Sequence, residues 1–188
     1  MKKIKYLLLC SFLYIFPAAA QKTKEPVSIP MLPVDSSTGL IAYSNVKIIS
    51  GTSKAELYKR AYGWANTYYK NPADVIREKN AEEGKLVIKA RFKISNEADK
   101  KGVVTQAGDV MYTLTLDFKE GKYKYELTKI NWQQVSYYPA ERWKDIASPT
   151  FKPAYAYYLK QTDENIKKII GDFEKKFAEP AKVKSDDW

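Results

Sequence analysis

Apolar and polar side chains alternate along three stretches in the middle of the chain. From Leu86 to Ile94, apolar residues occupy every second position, and Lys89, Arg91 and Lys93 fall between them. The pattern recurs at 110–118 and continues at 123–127. Successive side chains of a β-strand point to opposite faces, so this alternation predicts antiparallel strands with one apolar face.

The Glu120-Gly121 turn joins the last two of these strands, and the apolar pattern sets their register. A two- or four-residue loop places Phe118 opposite Tyr123 and keeps like side chains on one face. A three-residue loop would instead place Phe118 opposite Lys122, so it is rejected.

Two further stretches have apolar residues at helical spacing. The first follows a capping box formed by Ser53 and Glu56, and the second follows Thr162-Asp163-Glu164 and ends at Pro180. The predicted stripes are Leu57, Ala61, Trp64, Ala65 and Tyr68 in the first helix and Ile166, Ile169, Ile170, Phe173 and Phe177 in the second.

A strand at 40–49 and a short one that starts at Val75-Ile76 and ends before the turn at 81–84 complete the predicted order β-α-β-β-β-β-α. This order predicts a two-layer α+β domain over residues 39–180, with an antiparallel sheet of about five strands and two helices on one face. We expect Lys89, Arg91 and Lys93 in solvent, and one core containing Leu57, Trp64, Phe92, Leu114, Leu116, Ile169, Ile170 and Phe173.

The first 20 residues have the features of a secretory signal. A basic start precedes an apolar run over 6–16, and Ala18-Ala19-Ala20 supplies the small residues of a cleavage site. Cys10, the only cysteine, follows three leucines and fits the signal rather than a lipid anchor. We predict cleavage after Ala20, export to the periplasm or the extracellular space, and no stable membrane insertion. An extended lead-in is predicted at 21–38 and a flexible tail at 181–188.

Residues 136–158 contain seven aromatic rings and three prolines without a usable period. One hypothesis is a ligand or partner surface, made by Tyr137, Tyr138, Trp143, Tyr155, Tyr157 and Tyr158. The favoured hypothesis is an ordered connection that lays Tyr138, Trp143 and Tyr155 against the sheet edge or a helix, because aromatic rings favour burial.

Several motifs resemble a family of exported bacterial proteins of unknown function, found mainly in Bacteroides-like organisms. They are Leu32–Asp35, Gly39–Tyr43, Gly51–Ala61 with the downstream Trp64, and Gly121–Tyr125. The resemblance covers roughly 32–132. It implies a TATA-binding-protein-like fold with the order strand, helix, four strands, helix, and it implies no catalytic residues.

The residue types exclude several chemistries. The chain has no histidine, and its one cysteine lies in the predicted signal, so His-dependent triads, thiol catalysis and thiolate zinc sites are excluded. No phosphate-cradling glycine loop or dinucleotide fingerprint occurs. We therefore expect no enzyme activity, no cofactor and no metal.

Removal of the predicted signal, with Lys2, Lys3 and Lys5, leaves 29 basic and 22 acidic residues, a net charge near +7 that favours acidic partners, although the lysines are spread as on a solvated basic surface. Nucleic acid is not expected, because the predicted open sheet face has no rings on which bases could stack. The sequence predicts a non-catalytic binding or interaction module of the cell envelope, with an envelope protein or glycan as partner and no indicated oligomeric state. The alternative is an envelope enzyme or small-ligand carrier with a pocket near 132–158.

Overall fold

The computed structural model describes residues 27–134 and 136–179, which form an antiparallel sheet with two long helices on one face. The predicted signal, its cleavage site, residues 21–26 of the lead-in and the predicted tail lie outside the described residues. The elements are β1 Tyr43–Ile48, α1 Lys54–Tyr68, α2 Pro72–Val75, β2 Ile76–Asn80, β3 Lys85–Ser95, β4 Gln106–Lys119, β5 Lys122–Gln133, β6 Tyr137–Pro139, a 3₁₀ helix Ala140–Lys144 and α3 Ala154–Ala178.

The strands are ordered β1-β5-β4-β3-β2, and β6 pairs with β5 beyond the end of β1. Every pairing is antiparallel, and Phe118 lies opposite Tyr123 as predicted. The two-layer α+β architecture is therefore confirmed. Among the described residues, no helix is both long enough and apolar enough to cross a membrane.

The core lies between the sheet and the two long helices. Six of the eight residues predicted for it are buried, and Phe92 and Ile170 are half-buried against it. Lys89, Arg91 and Lys93 are exposed, as expected. At the β4–β5 turn end of the sheet, rings from α1, α3 and the strands form what we call the hairpin-end cluster: Trp64, Tyr68, Phe118, Tyr123, Tyr125, Phe173 and Phe177.

Helix α1 begins as predicted, since the hydroxyl of Ser53 accepts a hydrogen bond from the Glu56 amide at 3.2 Å. Two side chains of α1 then bind α3. The Trp64 indole Nε1 donates to Asp172 Oδ1 at 2.7 Å, and an Arg60 guanidinium nitrogen donates to the Phe177 carbonyl at 2.8 Å. The two helices are thus joined by polar contacts as well as by apolar packing.

The predicted start of the second long helix at Thr162 is wrong. Helix α3 begins at Ala154, and Thr162 is fully buried in its middle. Pro153 already has α-helical dihedrals and precedes a buried stripe at helical spacing: Tyr155, Tyr158, Leu159, Thr162 and Ile166. The apolar pattern did not predict the first two turns of α3 because their buried positions hold tyrosines rather than aliphatic residues.

Strand β5 is longer than the predicted 123–127 because it contains a β-bulge. Thr128 lies opposite Thr113 and Asn131 opposite Met111, so β5 has an extra residue between these pairs. Lys129 has a φ of 54°, in the left-handed region. The extra residue shifts the alternation, and Ile130 and Trp132 turn towards the helices.

Two other predicted strands have different bounds. The strand predicted at 40–49 runs over 43–48, and Ile41 forms only an isolated bridge with Val34. Val75 ends a short helix rather than opening a strand, because Pro72 starts a helical turn, and β2 runs over 76–80.

Candidate functional site

The aromatic segment is built around Trp143, which is fully buried in the 3₁₀ helix. Its ring centroid lies 5.6 Å from that of Trp132 in β5, 6.0 Å from that of Tyr155 and 5.6 Å from that of Tyr158 in α3. Tyr138, opposite Trp132 in the β5–β6 ladder, adds another ring. We call this the segment cluster: Trp132, Tyr138, Trp143, Phe151, Tyr155 and Tyr158.

The six candidate surface residues do not form one exposed surface. Trp143, Tyr155 and Tyr158 are buried, and Tyr138 is half-buried. Tyr137 is 66 % exposed and lies opposite Gln133, on the helix-free face. Tyr157, Asn96, Lys160 and Pro30 instead line an open cleft of about 900 Å³ between the lead-in and α3.

The polar atoms of the segment cluster are only partly satisfied. The Tyr158 hydroxyl donates to Asn96 Oδ1, and the Trp132 indole Nε1 donates to the Ala107 carbonyl at 3.2 Å. Burial raises the pKa of Tyr155 and Tyr158, so both phenols are neutral. The Trp143 indole Nε1 is buried and has no hydrogen-bond acceptor among the described residues. These contacts stabilise the packing of the cluster. The Trp143 ring is buried by them, so no ligand can stack on it.

The helix-free face of the sheet carries a row of basic side chains along β3. The register turns Lys85, Lys89, Arg91 and Lys93 to this face, since Leu86, Ile88, Ala90 and Ile94 are buried beneath the helices. Side chains two apart on a strand are about 7 Å apart, so Lys89, Arg91 and Lys93 are evenly spaced, and Val87 separates them from Lys85.

Ion pairs neutralise part of this face. Arg91 lies 3.5 Å from Asp109, and Lys85 lies 3.5 Å from Glu78. Lys89 and Lys93 have no carboxylate within 4.0 Å among the residues that the structure describes. The half-buried threonines Thr115 of β4 and Thr128 of β5 also lie on this face, whereas Thr113 is buried. The face thus combines free positive charge with hydrogen-bonding groups.

A second basic region lies where the β4–β5 turn meets β1. A depression of about 610 Å³ is lined by Val46 of β1, by four lysines and by two carboxylates: Lys54, Lys119, Lys122 and Lys124 with Glu83 and Asp117. Lys124 forms an ion pair with Glu126 at 2.6 Å. Lys119 and Lys122 are exposed. This depression can accept a negatively charged group.

Strand β1 adds exposed apolar side chains to this region. Val46 lies opposite Lys124 and Ile48 opposite Lys122, so both are on the helix-free face. Val46 is 53 % exposed and Ile48 is 75 % exposed. Sequence reasoning missed these two residues because apolar side chains occur on both sides of the 40–49 pattern. Lys47 misleads here, because a lysine between two apolar residues is normally interpreted as facing solvent, whereas Lys47 lies on the helix side and pairs with Glu174 of α3 at 3.1 Å.

The perturbed titratable groups point to structure rather than acid–base chemistry. Hydrogen bonds from the Ser37 and Thr38 side chains and amides lower the pKa of Asp35 to about 2, in an exposed turn. Burial raises the pKa of Tyr69 and Tyr112, whose hydroxyl oxygens lie 2.9 Å apart. Over 27–134 and 136–179, no three Asp, Glu, Cys or His side chains are grouped to hold a metal ion.

Comparisons with known proteins identify the family of this fold. Residues 43–133 match the family described as "Domain of unknown function (DUF4468) with TBP-like fold". No curated protein matches the sequence.

Two crystal structures are similar to this chain. A DUF4468 family protein from Bacteroides ovatus is 20 % identical, with a TM-score of 0.62, covering 80 % of this chain and 93 % of that one. A TBP-like protein from Parabacteroides distasonis is 16 % identical, with a TM-score of 0.57, covering 77 % and 96 %. These similarities show the fold. Over residues 43–133 the chain is therefore similar to the DUF4468 family of domains of unknown function, and it has the TBP-like fold that its motifs predicted.

Proposed function

We propose that the protein is an exported, non-catalytic binding module of the bacterial cell envelope that acts through the helix-free face of its sheet. The observation that carries the proposal is the contrast between the two faces. Beneath the helices the sheet is closed by packed rings, whereas the helix-free face holds free lysines and hydroxyl groups. The partner is an envelope protein or glycan that carries negative charge.

The export part of the proposal rests on the N-terminal sequence. The basic start, the apolar run and Ala18-Ala19-Ala20 together predict a mature chain that begins at Gln21. The intact mass of protein recovered outside the cytoplasm tests this. A mass matching residues 21–188 supports it, and a diacylglycerol-modified or uncleaved product contradicts it.

The binding part is tested with a polyuronate as the anionic probe and dextran as the neutral one. The double variant Lys89→Glu with Lys93→Glu should weaken polyuronate binding at least about tenfold, because favourable charge contacts become repulsive. The matched control is Lys168→Glu with Lys175→Glu, which makes the same change of net charge at exposed positions on α3. Equal losses in both double variants would mean that only net charge matters, and the proposal would fail.

A second candidate, a small-ligand carrier, is favoured by the cleft beside Tyr157. Its volume of about 900 Å³ suits a small molecule, and it combines an aromatic ring with Asn96 and Lys160. A thermal-shift screen tests it. A ligand that stabilises the protein but not a Tyr157→Ser variant would favour the carrier over the interaction module.

A further inference from the structure

Strand β1 forms an edge of the sheet with a free row of backbone groups. The Ile49 amide donates to the Gly121 carbonyl at 2.8 Å, so residue 49 faces β5. In an antiparallel ladder, alternate residues point their N–H and C=O groups to opposite sides. Ser44, Val46 and Ile48 therefore direct theirs away from the sheet.

The opposite edge of the sheet is protected and this one is not. Beyond Ile88, β3 has no partner from β2 among the described residues, and there it exposes Lys89, Arg91 and Lys93. Charged side chains on an edge oppose the addition of another strand. On β1 the side chains on the helix-free face are instead Ser44, Val46 and Ile48, and Lys47 on the other face is paired with Glu174 at 3.1 Å.

The chain itself already adds an extended segment to the beginning of this edge. The Ala42 amide donates to the Pro33 carbonyl at 3.1 Å, and Val34 forms an antiparallel bridge with Ile41. The edge is thus shaped to accept an extended backbone, and the part from Ser44 to Ile48 is left open.

The charge beside the open part indicates what kind of segment fits. The depression next to Val46 has four lysines against the two carboxylates Glu83 and Asp117, so its lining is net positive, and Lys119 and Lys122 are both exposed. A second copy of this chain would bring its own net charge of +10 to the interface. An acidic segment gains from the same lysines.

We propose that residues 44–48 are the docking edge for an extended, acidic segment of another protein, which pairs with β1 as an added strand. Its apolar side chains lie on Val46 and Ile48, and a carboxylate enters the depression between Lys119 and Lys122. Backbone hydrogen bonds supply affinity and the pockets supply selectivity. This inference rests on the proposed function, because it specifies the partner of the helix-free face.

The Asn45 side chain offers a separate test of the docking edge. Its Oδ1 accepts the outward amide of Val46 at 2.8 Å, so an incoming strand must displace it. Asn45→Ala should strengthen binding about threefold, since the Val46 amide is then free for the added strand.

The probe is a fluorescent ten-residue peptide of alternating valine and glutamate, and its control alternates valine and lysine. Fluorescence anisotropy with the intact protein should show saturable, salt-sensitive binding of the acidic peptide alone. The double variant Val46→Lys with Ile48→Lys should weaken it at least about tenfold, although it adds positive charge, because lysine blocks edge pairing. Lys119→Gln with Lys122→Gln should weaken it about tenfold and reduce its salt dependence.

The matched control is Val103→Lys with Ile146→Lys, which makes the same substitutions at residues that are 53 % and 63 % exposed. It should change binding less than about twofold, and circular dichroism should show that all variants are folded. Unchanged binding in the β1 variant, equal binding of the basic peptide, or no saturable binding up to millimolar peptide overturns the inference. A concentration-dependent dimer that the β1 variant dissociates would make a second copy the occupant and would also overturn it.

The two proposals fail separately. Polyuronate binding that is insensitive to Lys89 and Lys93 contradicts the proposed function and leaves the peptide result unchanged. Peptide binding that is insensitive to Val46 and Ile48 contradicts the docking edge and leaves the polyuronate result unchanged.

Discussion

The two aromatic clusters lie at opposite ends of α3 and differ in how their tryptophans are satisfied. In the hairpin-end cluster, the Trp64 indole N–H donates to Asp172 at 2.7 Å. In the segment cluster, the Trp143 indole N–H is buried and finds no acceptor in 27–134 or 136–179. A buried donor without a partner opposes folding by about 1–3 kcal/mol. The two clusters therefore contribute unequally to the free energy of unfolding, although their apolar packing is similar.

The largest effect is expected from Phe173→Ala in the hairpin-end cluster. Phe173 is fully buried and packs on Trp64, Tyr125 and Phe177. Its removal should lower the free energy of unfolding by about 3–5 kcal/mol, because it leaves a cavity where packing is dense. Urea denaturation measures this. A change within experimental error would show that the cluster is not part of the cooperative core.

Trp143→Ala should have the next largest effect and lower the free energy of unfolding by about 3 kcal/mol. It removes a fully buried ring but also removes the unsatisfied N–H, which offsets part of the loss. Tyr137→Ala, which truncates an exposed ring of the same segment, is the control and should change stability by less than about 0.5 kcal/mol. Unchanged stability of Trp143→Ala together with lost binding would instead favour the ligand-surface hypothesis.

Replacing each tryptophan by phenylalanine isolates the hydrogen bond. Trp64→Phe loses the bond to Asp172, whereas Trp143→Phe removes a donor that has no acceptor. Trp64→Phe should therefore destabilise the protein by about 1–2 kcal/mol more than Trp143→Phe. Paired thermal and urea unfolding curves give the difference. Equal losses would mean that the indole N–H groups do not distinguish the clusters.

The smallest effect is expected at the bulge that brings Trp132 into the segment cluster. Lys129 adopts a left-handed φ of 54°, which glycine tolerates better than lysine. Lys129→Gly should raise the free energy of unfolding by about 0.5–1 kcal/mol. Lys93→Gly, at a regular strand position, should lower it. If both variants lower the free energy of unfolding to the same extent, the left-handed backbone of Lys129 does not destabilise the protein.

The same comparison explains which parts of the fold were predictable. The hairpin-end cluster comes from elements with a clear period, and the Ser53 cap, the pairing of Phe118 with Tyr123 and the burial of Phe173 were all predicted. The segment cluster depends on the Lys129 bulge, which reverses the alternation of β5, and on a helix start marked only by Pro153. The spacing of apolar residues over a short stretch reveals neither a bulge that shifts the alternation of a strand nor a buried helical stripe made of tyrosines.

The candidate site was predicted only in part. The basic row of Lys89, Arg91 and Lys93 followed from alternation on a single strand. The depression near Val46 did not, because it forms only when β1 lies beside the β4–β5 turn, far away in sequence. Which strand becomes an edge is decided by sheet order, and the hydrophobic pattern does not encode that order.

The hydrogen bond from the Ile41 amide to Glu141 Oε1, at 2.9 Å, has a consequence for the order of folding. It joins residues 100 positions apart, so it forms only after the chain has closed a long loop. We expect residues before Tyr43 to dock after the β3–β5 strands have paired and Trp143 has packed. Glu141→Ala would remove the acceptor, and the Ile41 amide should then exchange with solvent hydrogen faster than in the unchanged protein.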